Sequence, residues 1–143
     1  PRLDRVGVGR GPRAVTDPVI VDTSAWGAFF RGEAPTCARV VELVGAGRAV
    51  RCGPVELELR QGLPRGEAPA VLDLWSALPD LPVDGRDFAS AGDLLLELRA
   101  RGRAIPSMDG LIATLALRHD AALLTLDRHY DGIEGLRLDA RPS

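Results

Sequence analysis

The stretch Pro18–Val21 (PVIV) constrains this chain most: it is rich in β-branched residues, bounded by Pro and free of polar side chains. A strand with one wet face would alternate apolar and polar residues, so a run of this kind predicts a strand buried on both faces of a parallel sheet. Ala49–Cys52 (AVRC) and Ala122–Thr125 (ALLT) read as two further short strands, with weaker ones near Leu81–Val83 and Leu136–Leu138. Helical patterns lie between them. Ser24 is placed to cap a helix through Ala25–Phe30, and another starts at Pro35–Thr36 with Val40, Val41 and Val44 on its apolar face. Gly53–Arg60 and Ala68–Leu78 follow, the latter with Leu72 and Trp75 on one side. Asp87–Arg101 carries an apolar stripe at Phe88, Ala91, Leu95 and Leu98. Ser107 is placed to cap Met108–His119, whose core face is Met108, Leu111, Ile112 and Leu115, and a short helical turn is expected near Arg128–Tyr130. Strands alternating with helices in this way predict an α/β fold, a mostly parallel central sheet covered by helices.

At 143 residues the chain is the size of one domain, with no internal repeat. Residues 1–17 are rich in Gly, Arg and Pro, lack periodicity and begin without Met. They are expected to be a disordered leader, an early start codon or residues foreign to the native protein; the domain proper is assigned to 18–143. The net charge is −2 and the pI about 5.7, which gives no general pull toward nucleic acid. A nucleic-acid ligand would have to be held by a local patch and by metal. There is no lysine, so any mechanism needing one is excluded. Cys37 and Cys52 make neither a disulfide framework nor, with His119 and His129 far downstream, a zinc site. They are expected to be buried or half-buried free thiols in a reducing cytoplasm. No apolar run reaches the roughly 18 residues of a membrane span.

Chemistry is suggested by acids at the carboxyl ends of the expected strands, where sites form in open α/β sheets. Asp22 directly follows the first strand, and a charge abutting so apolar a run is hard to explain structurally. Glu58, or its neighbour Glu56, stands on the helix after the second strand. Asp109 lies in the first turn of the helix after Ser107, and Asp127 lies two residues beyond ALLT. Clustered carboxylates repel, so such a group calls for protons or a cation. An oxygen-only set suits a hard ion, Mg²⁺ or Mn²⁺, which lowers the pKa of bound water and neutralises charge on a phosphoryl group. The residues thus point to metal-assisted phosphodiester hydrolysis, provided the four segments converge. Each acid also has a plain alternative: Asp109 with the helix dipole, Asp127 as a turn or cap, Glu58 as a solvated helix residue.

VIVDTSAW (19–26) resembles the opening strand of PIN-domain proteins, specifically the VapC-type toxins of toxin–antitoxin pairs. VELELRQG (55–62) is similar to the family helix in which a Glu stands four residues before a Gly, which selects Glu58. The segment 105–138 resembles the family's second half, a D-x-L-I-A helix, a strand and an L-x-T-x-D-x-x-[FY] stretch, matching Asp109 and Asp127. Ser24 and Thr125 fall on small polar positions beside the acids. The resemblance covers residues 18–138 and implies a PIN-like three-layer fold. It also implies an Mg²⁺-dependent endoribonuclease using Asp22, Glu58, Asp109 and Asp127, with Asp22, Asp109 and Asp127 on the metal. A VapB-type antitoxin as partner, and homodimers, heterotetramers or larger complexes with it, are implied as well. One departure is His129, where many relatives carry a second Asp. Arg101, Arg103 and His129 are candidate RNA contacts, with Tyr130 beside His129 as a possible stacking ring. The rival readings are a phosphoaspartyl protein, disfavoured by the missing lysine and by Ser24 where a phosphatase carries Asp, a catalytically weak PIN-fold binding protein, and a PIN nuclease of RNA maturation without antitoxin.

Overall fold

The computed structural model describes residues 15–62 and 68–139. Three parallel strands form the centre: β1 (Val19–Val21), β2 (Ala49–Val50) and β3 (Ala122–Leu124), in the order β2-β1-β3. Val19 lies opposite Ala49 on one side and Ala122 on the other, and Val21 opposite Leu124. All three β1 side chains are fully buried, as the PVIV run predicts for a central strand; each such side chain contributes about 1.5–3 kcal/mol by burial. The two weaker strands shrink to single parallel bridges, Arg51 with Asp80 and Leu123 with Leu138. Pro79 and Pro82, which lack an N–H, cannot extend the first of these.

Among the described residues, six helices cover the sheet: α1 (Thr23–Phe30), α2 (Thr36–Gly45), α3 (Gly53–Gly62), α4 (Ala68–Ser76), α5 (Gly85–Ala100) and α6 (Ser107–Arg118). A 3₁₀ turn at Arg128–Tyr130 follows β3. α6 is buried from Asp109 through Ala116 and packs closely on α5. Gly110 makes that approach possible, since a Cβ there would stand 2.7 Å from Leu95 Cγ and Cδ2. Cys37 is half-buried and Cys52 buried, both as free thiols. Among the described residues no helix is long and apolar enough to cross a membrane.

Several local expectations are corrected. Ser24 and Ser107 lie inside their helices rather than capping them; Asp22 and Pro106 hold the N-cap positions without a side-chain cap bond. The buried face of α2 is Val40 and Leu43, and Val41 is exposed. On α4, Val71 and Trp75 are buried and Leu72 only partly so. On α5, Phe88 is 61% exposed while its neighbour Asp87 is fully buried. The helix is phased by a capping box between Asp84 and Asp87 and by Arg118 of α6, whose guanidinium grips the Asp87 carboxylate. A buried acid closed by an arginine from another helix is invisible to an apolar stripe. Of the leader expected over 1–17, residues 1–14 lie outside the described residues; Val15 packs against the core, and the Asp17 carbonyl accepts from Arg48 Nε at 2.9 Å.

Candidate active site

The parallel sheet brings the carboxyl ends of its strands to one side, and β1 is the middle strand. Asp22 continues its ladder by one residue, its N–H donating to the Leu124 carbonyl at 2.9 Å. Its side chain therefore stands between the ends of β1 and β3, where strand order reverses and ligands bind in folds of this class. Thr125, one residue past β3, donates to Asp22 Oδ2 at 2.8 Å, and Ser24 donates to the same oxygen at 3.0 Å. Ser24 in turn accepts from the Leu126 N–H, and Thr125 from the Asp127 N–H, both at 3.0 Å. The two hydroxyls thus tie the start of α1 to the loop after β3. This explains why Ser24 sits within the helix instead of capping it.

Asp22 is 5% exposed. Burial pushes its carboxyl above the usual range; the hydroxyl bonds oppose this, and nearby Asp109 adds to it. Glu58 is raised too, first by partial burial and then by Asp22, Asp109 and Asp127. It accepts a bond from Thr23 Oγ1 at 3.0 Å. Glu56 points elsewhere, to Arg60 at 2.9 Å and to Trp75 Nε1 at 3.1 Å, so of the two glutamates only Glu58 joins the acids. Thr23 was not singled out in the sequence; its position next to Asp22 was the available signal.

Asp109, 7% exposed, lies in the first turn of α6, where the helix dipole favours a carboxylate. Asp127 caps the 3₁₀ turn, accepting from the His129 N–H at 2.9 Å. His129 Nδ1 lies 2.8 Å from Asp109 Oδ2 and 3.0 Å from Asp127 Oδ1. The Asp109 bond, then the charges of Asp127, Asp109 and Asp22, raise its pKa above the ordinary imidazole value. Asp109, Asp127 and His129 each offer a ligand atom, all within 4.8 Å of one another, a group that can hold a metal ion. Asp22 stands outside that group and adjoins it through Asp109.

The other expected contacts divide. Arg103 Nη2 donates to the His129 carbonyl at 3.0 Å, which puts its guanidinium against the loop that carries the acids. Arg101 is on the surface, paired with Glu97 at 2.7 Å. Tyr130 cannot stack on a base: it is 1% exposed. Its hydroxyl is buried and faces Asp109, yet no hydrogen bond of ordinary geometry closes between them. His119 Nε2 lies 2.9 Å from the Pro82 carbonyl.

A family model described as "PIN domain" matches residues 19–136. The VapC ribonuclease Mb1587 of Mycobacterium bovis and Ribonuclease VapC11 of Mycobacterium tuberculosis are each 33% identical to this chain over 121 residues, covering 80% of it and 90% of the relative. Among solved structures, DNA-bound VapBC from Salmonella typhimurium aligns with a TM-score of 0.72 at 20% identity, over 87% of this chain and 98% of that one. VapBC2 from Rickettsia felis, bound to a DNA fragment from its promoter, aligns at 0.69 and 21% identity, over 85% and 96%. The structural likeness speaks to the fold and the sequence likeness to kinship: the chain belongs to the PIN-domain family, among its VapC ribonucleases.

Proposed function

We propose that this chain is a metal-dependent endoribonuclease toxin of the VapC type, acting in the cytoplasm and restrained by a VapB-type antitoxin. The observation that carries this reading is the meeting of Asp22, Glu58, Asp109 and Asp127 at the carboxyl end of the parallel sheet, where burial and Asp109 raise the pKa of Asp22, and burial and the other three acids raise that of Glu58. Asp22 is bonded by the Ser24 and Thr125 hydroxyls and Glu58 by that of Thr23, neutral groups that leave their charge in place, and the donor set fits a divalent cation. The ion is Mg²⁺, with Mn²⁺ able to replace it, held by Asp22, Asp109 and Asp127. When bound, it supplies an activated water and neutralises charge developing on the phosphate.

The protein's part is positioning. Ser24 and Thr125 fix the Asp22 carboxylate by converging on Oδ2, and Thr23 fixes Glu58. Glu58, only partly buried, is placed to take a proton from the attacking water. Arg103 and His129 offer contacts to the RNA backbone at the site's edge. Arg101 can join them only by leaving Glu97, an exposed pair whose loss costs little. The relatives solved as VapBC complexes support an antitoxin partner, with a homodimer or heterotetramer as the assembled form.

The test is to incubate the antitoxin-free chain and an Asp22→Asn variant with total RNA, in Mg²⁺ and in EDTA. Discrete cleavage confined to the wild type with metal is expected. Intact RNA under every condition, with both proteins folded, overturns the reading in favour of a PIN-fold binding protein.

A further inference from the structure

We propose that His129 is itself a ligand of the metal, a nitrogen donor that tilts the site from Mg²⁺ toward Mn²⁺. The inference rests on the nuclease reading above and specifies its ion. Its first support is spacing. Neighbouring donors on an octahedral ion, each about 2.1 Å from the metal, stand about 3 Å apart. His129 Nδ1 lies 2.8 Å from Asp109 Oδ2 and 3.0 Å from Asp127 Oδ1. The imidazole nitrogen and the two carboxylates are thus already spaced as adjacent ligands, with no movement of the backbone required.

The second support is that the backbone holds the imidazole there. The His129 N–H donates to Asp127 Oδ1, its carbonyl accepts from Arg103 Nη2, and Asp127 is tied to Thr125 Oγ1 through its own N–H. A ring meant only to cover a base would not need its nitrogen pointed between two acids. The third support is Tyr130. Its hydroxyl is buried and faces Asp109 without closing a hydrogen bond of ordinary geometry. Buried hydroxyls are rarely left so, and this one puts a donor with spare capacity beside Asp109, on the side where the metal would lie.

The chemical consequence follows from ligand type. Mg²⁺ binds oxygen and keeps its waters; Mn²⁺ takes carboxylate oxygen as well, but as a member of the first-row series it accepts a nitrogen donor more readily than Mg²⁺ does. Most carboxylate sites hold Mn²⁺ somewhat more tightly than Mg²⁺, so the informative quantity is the affinity ratio compared with an all-oxygen version of the same site, His129→Asp.

The experiment uses the purified full chain with MnCl₂ or MgCl₂ alone and no RNA. Pulsed EPR of the Mn²⁺ complex is expected to show ¹⁴N coupling in the wild type and none in His129→Asp. Calorimetric titration is expected to show the Mn²⁺-over-Mg²⁺ affinity ratio falling roughly tenfold in that variant. The His129 side chain is 45% exposed, so folding should survive; His129→Ala carries the same spectroscopic comparison if the Asp variant does not fold. Tight Mn²⁺ binding without nitrogen coupling, and with an unchanged ratio, overturns the role of His129 and leaves the nuclease reading standing. Failure of the wild type to bind either ion overturns both.

Discussion

Asp22 and Asp87 are both nearly inaccessible aspartates, at 5% and 0% exposure, and the chain treats them in opposite ways. Asp87 has its counter-ion built in. Arg118 reaches it at 2.5 and 2.8 Å, and the Asp84 N–H donates to it at 2.9 Å. These contacts, the guanidinium first, hold its carboxyl below the usual range. Asp22 is held by two hydroxyls and has Asp109 for a neighbour, so burial carries its pKa upward. A carboxylate closed by an arginine is complete as folded and ties α5 to α6. One closed by hydroxyls and other acids keeps its electrostatic demand open for a cation from outside. Burial of an acid therefore says little by itself; what neutralises it separates scaffold from site.

The largest expected effect is on cleavage. Asp22→Asn should lower the RNA cleavage rate at least ~100-fold, beyond the loss typical of groups behind a metal's ligands, while the metal-free melting temperature holds or rises. Asp87→Asn should do the reverse, lowering the melting temperature and leaving cleavage unchanged where the protein is folded. Equal losses of activity in the two variants would erase the distinction. Next is the effect of divalent ions. At a hundred times its dissociation constant, a bound ion stabilises the native state by about 2.7 kcal/mol. Thermal melts should show that gain in the wild type and in Asp87→Asn, and a much smaller one in Asp22→Asn.

The pH dependence should also separate the two, with opposite signs. The folded pKa of Asp87 is below its ordinary 3.8, so its stabilising contribution is complete above that value and is lost as pH falls through the depressed one. The folded pKa of Asp22 is above 3.8, so without metal the native state keeps its proton longer than the unfolded chain does. Its ionisation therefore costs stability as pH rises from 3.8 through the raised value. In chelator, melts over roughly pH 3 to 7 should find the advantage of Asp22→Asn over wild type largest at the neutral end. The deficit of Asp87→Asn should also be largest there and should shrink in acid.

The central strand and the side of the sheet on which Asp22, Asp109 and Asp127 sit were legible because both follow from local patterns. A run as apolar as PVIV has only a doubly buried strand to occupy, and parallel pairing sends all carboxyl ends one way. What escaped depends on partners distant in sequence. Arg118 is 31 residues from Asp87, and nothing near Asp87 announces that a cation awaits it. The placement of His129 Nδ1 between Asp109 and Asp127 depends on a three-residue 3₁₀ turn. Tyr130 is not available as the stacking ring that its place beside His129 allows, because the same turn, which leaves His129 exposed, drives the next side chain into the core.

The smallest expected effect tests the phase of α5, on which the Asp87 side of the comparison depends. An apolar stripe through Phe88, Ala91, Leu95 and Leu98 would bury Phe88 and expose Asp87; the observed phase does the opposite. Ala91 and Leu98 are buried under both phases, so substitutions there discriminate nothing. Phe88 does discriminate. If it were core, Phe88→Ser would leave a large cavity and cost about 3–5 kcal/mol, as Phe truncations in cores do. At 61% exposure it should change stability by no more than about 0.5 kcal/mol, as surface changes usually do. Urea denaturation of the isolated chain resolves values that far apart. A small effect upholds the helix rotation that turns Asp87 inward to Arg118. A core-sized loss would mean that Asp87 faces water, and the contrast with Asp22 would then compare a buried acid with an ordinary surface one.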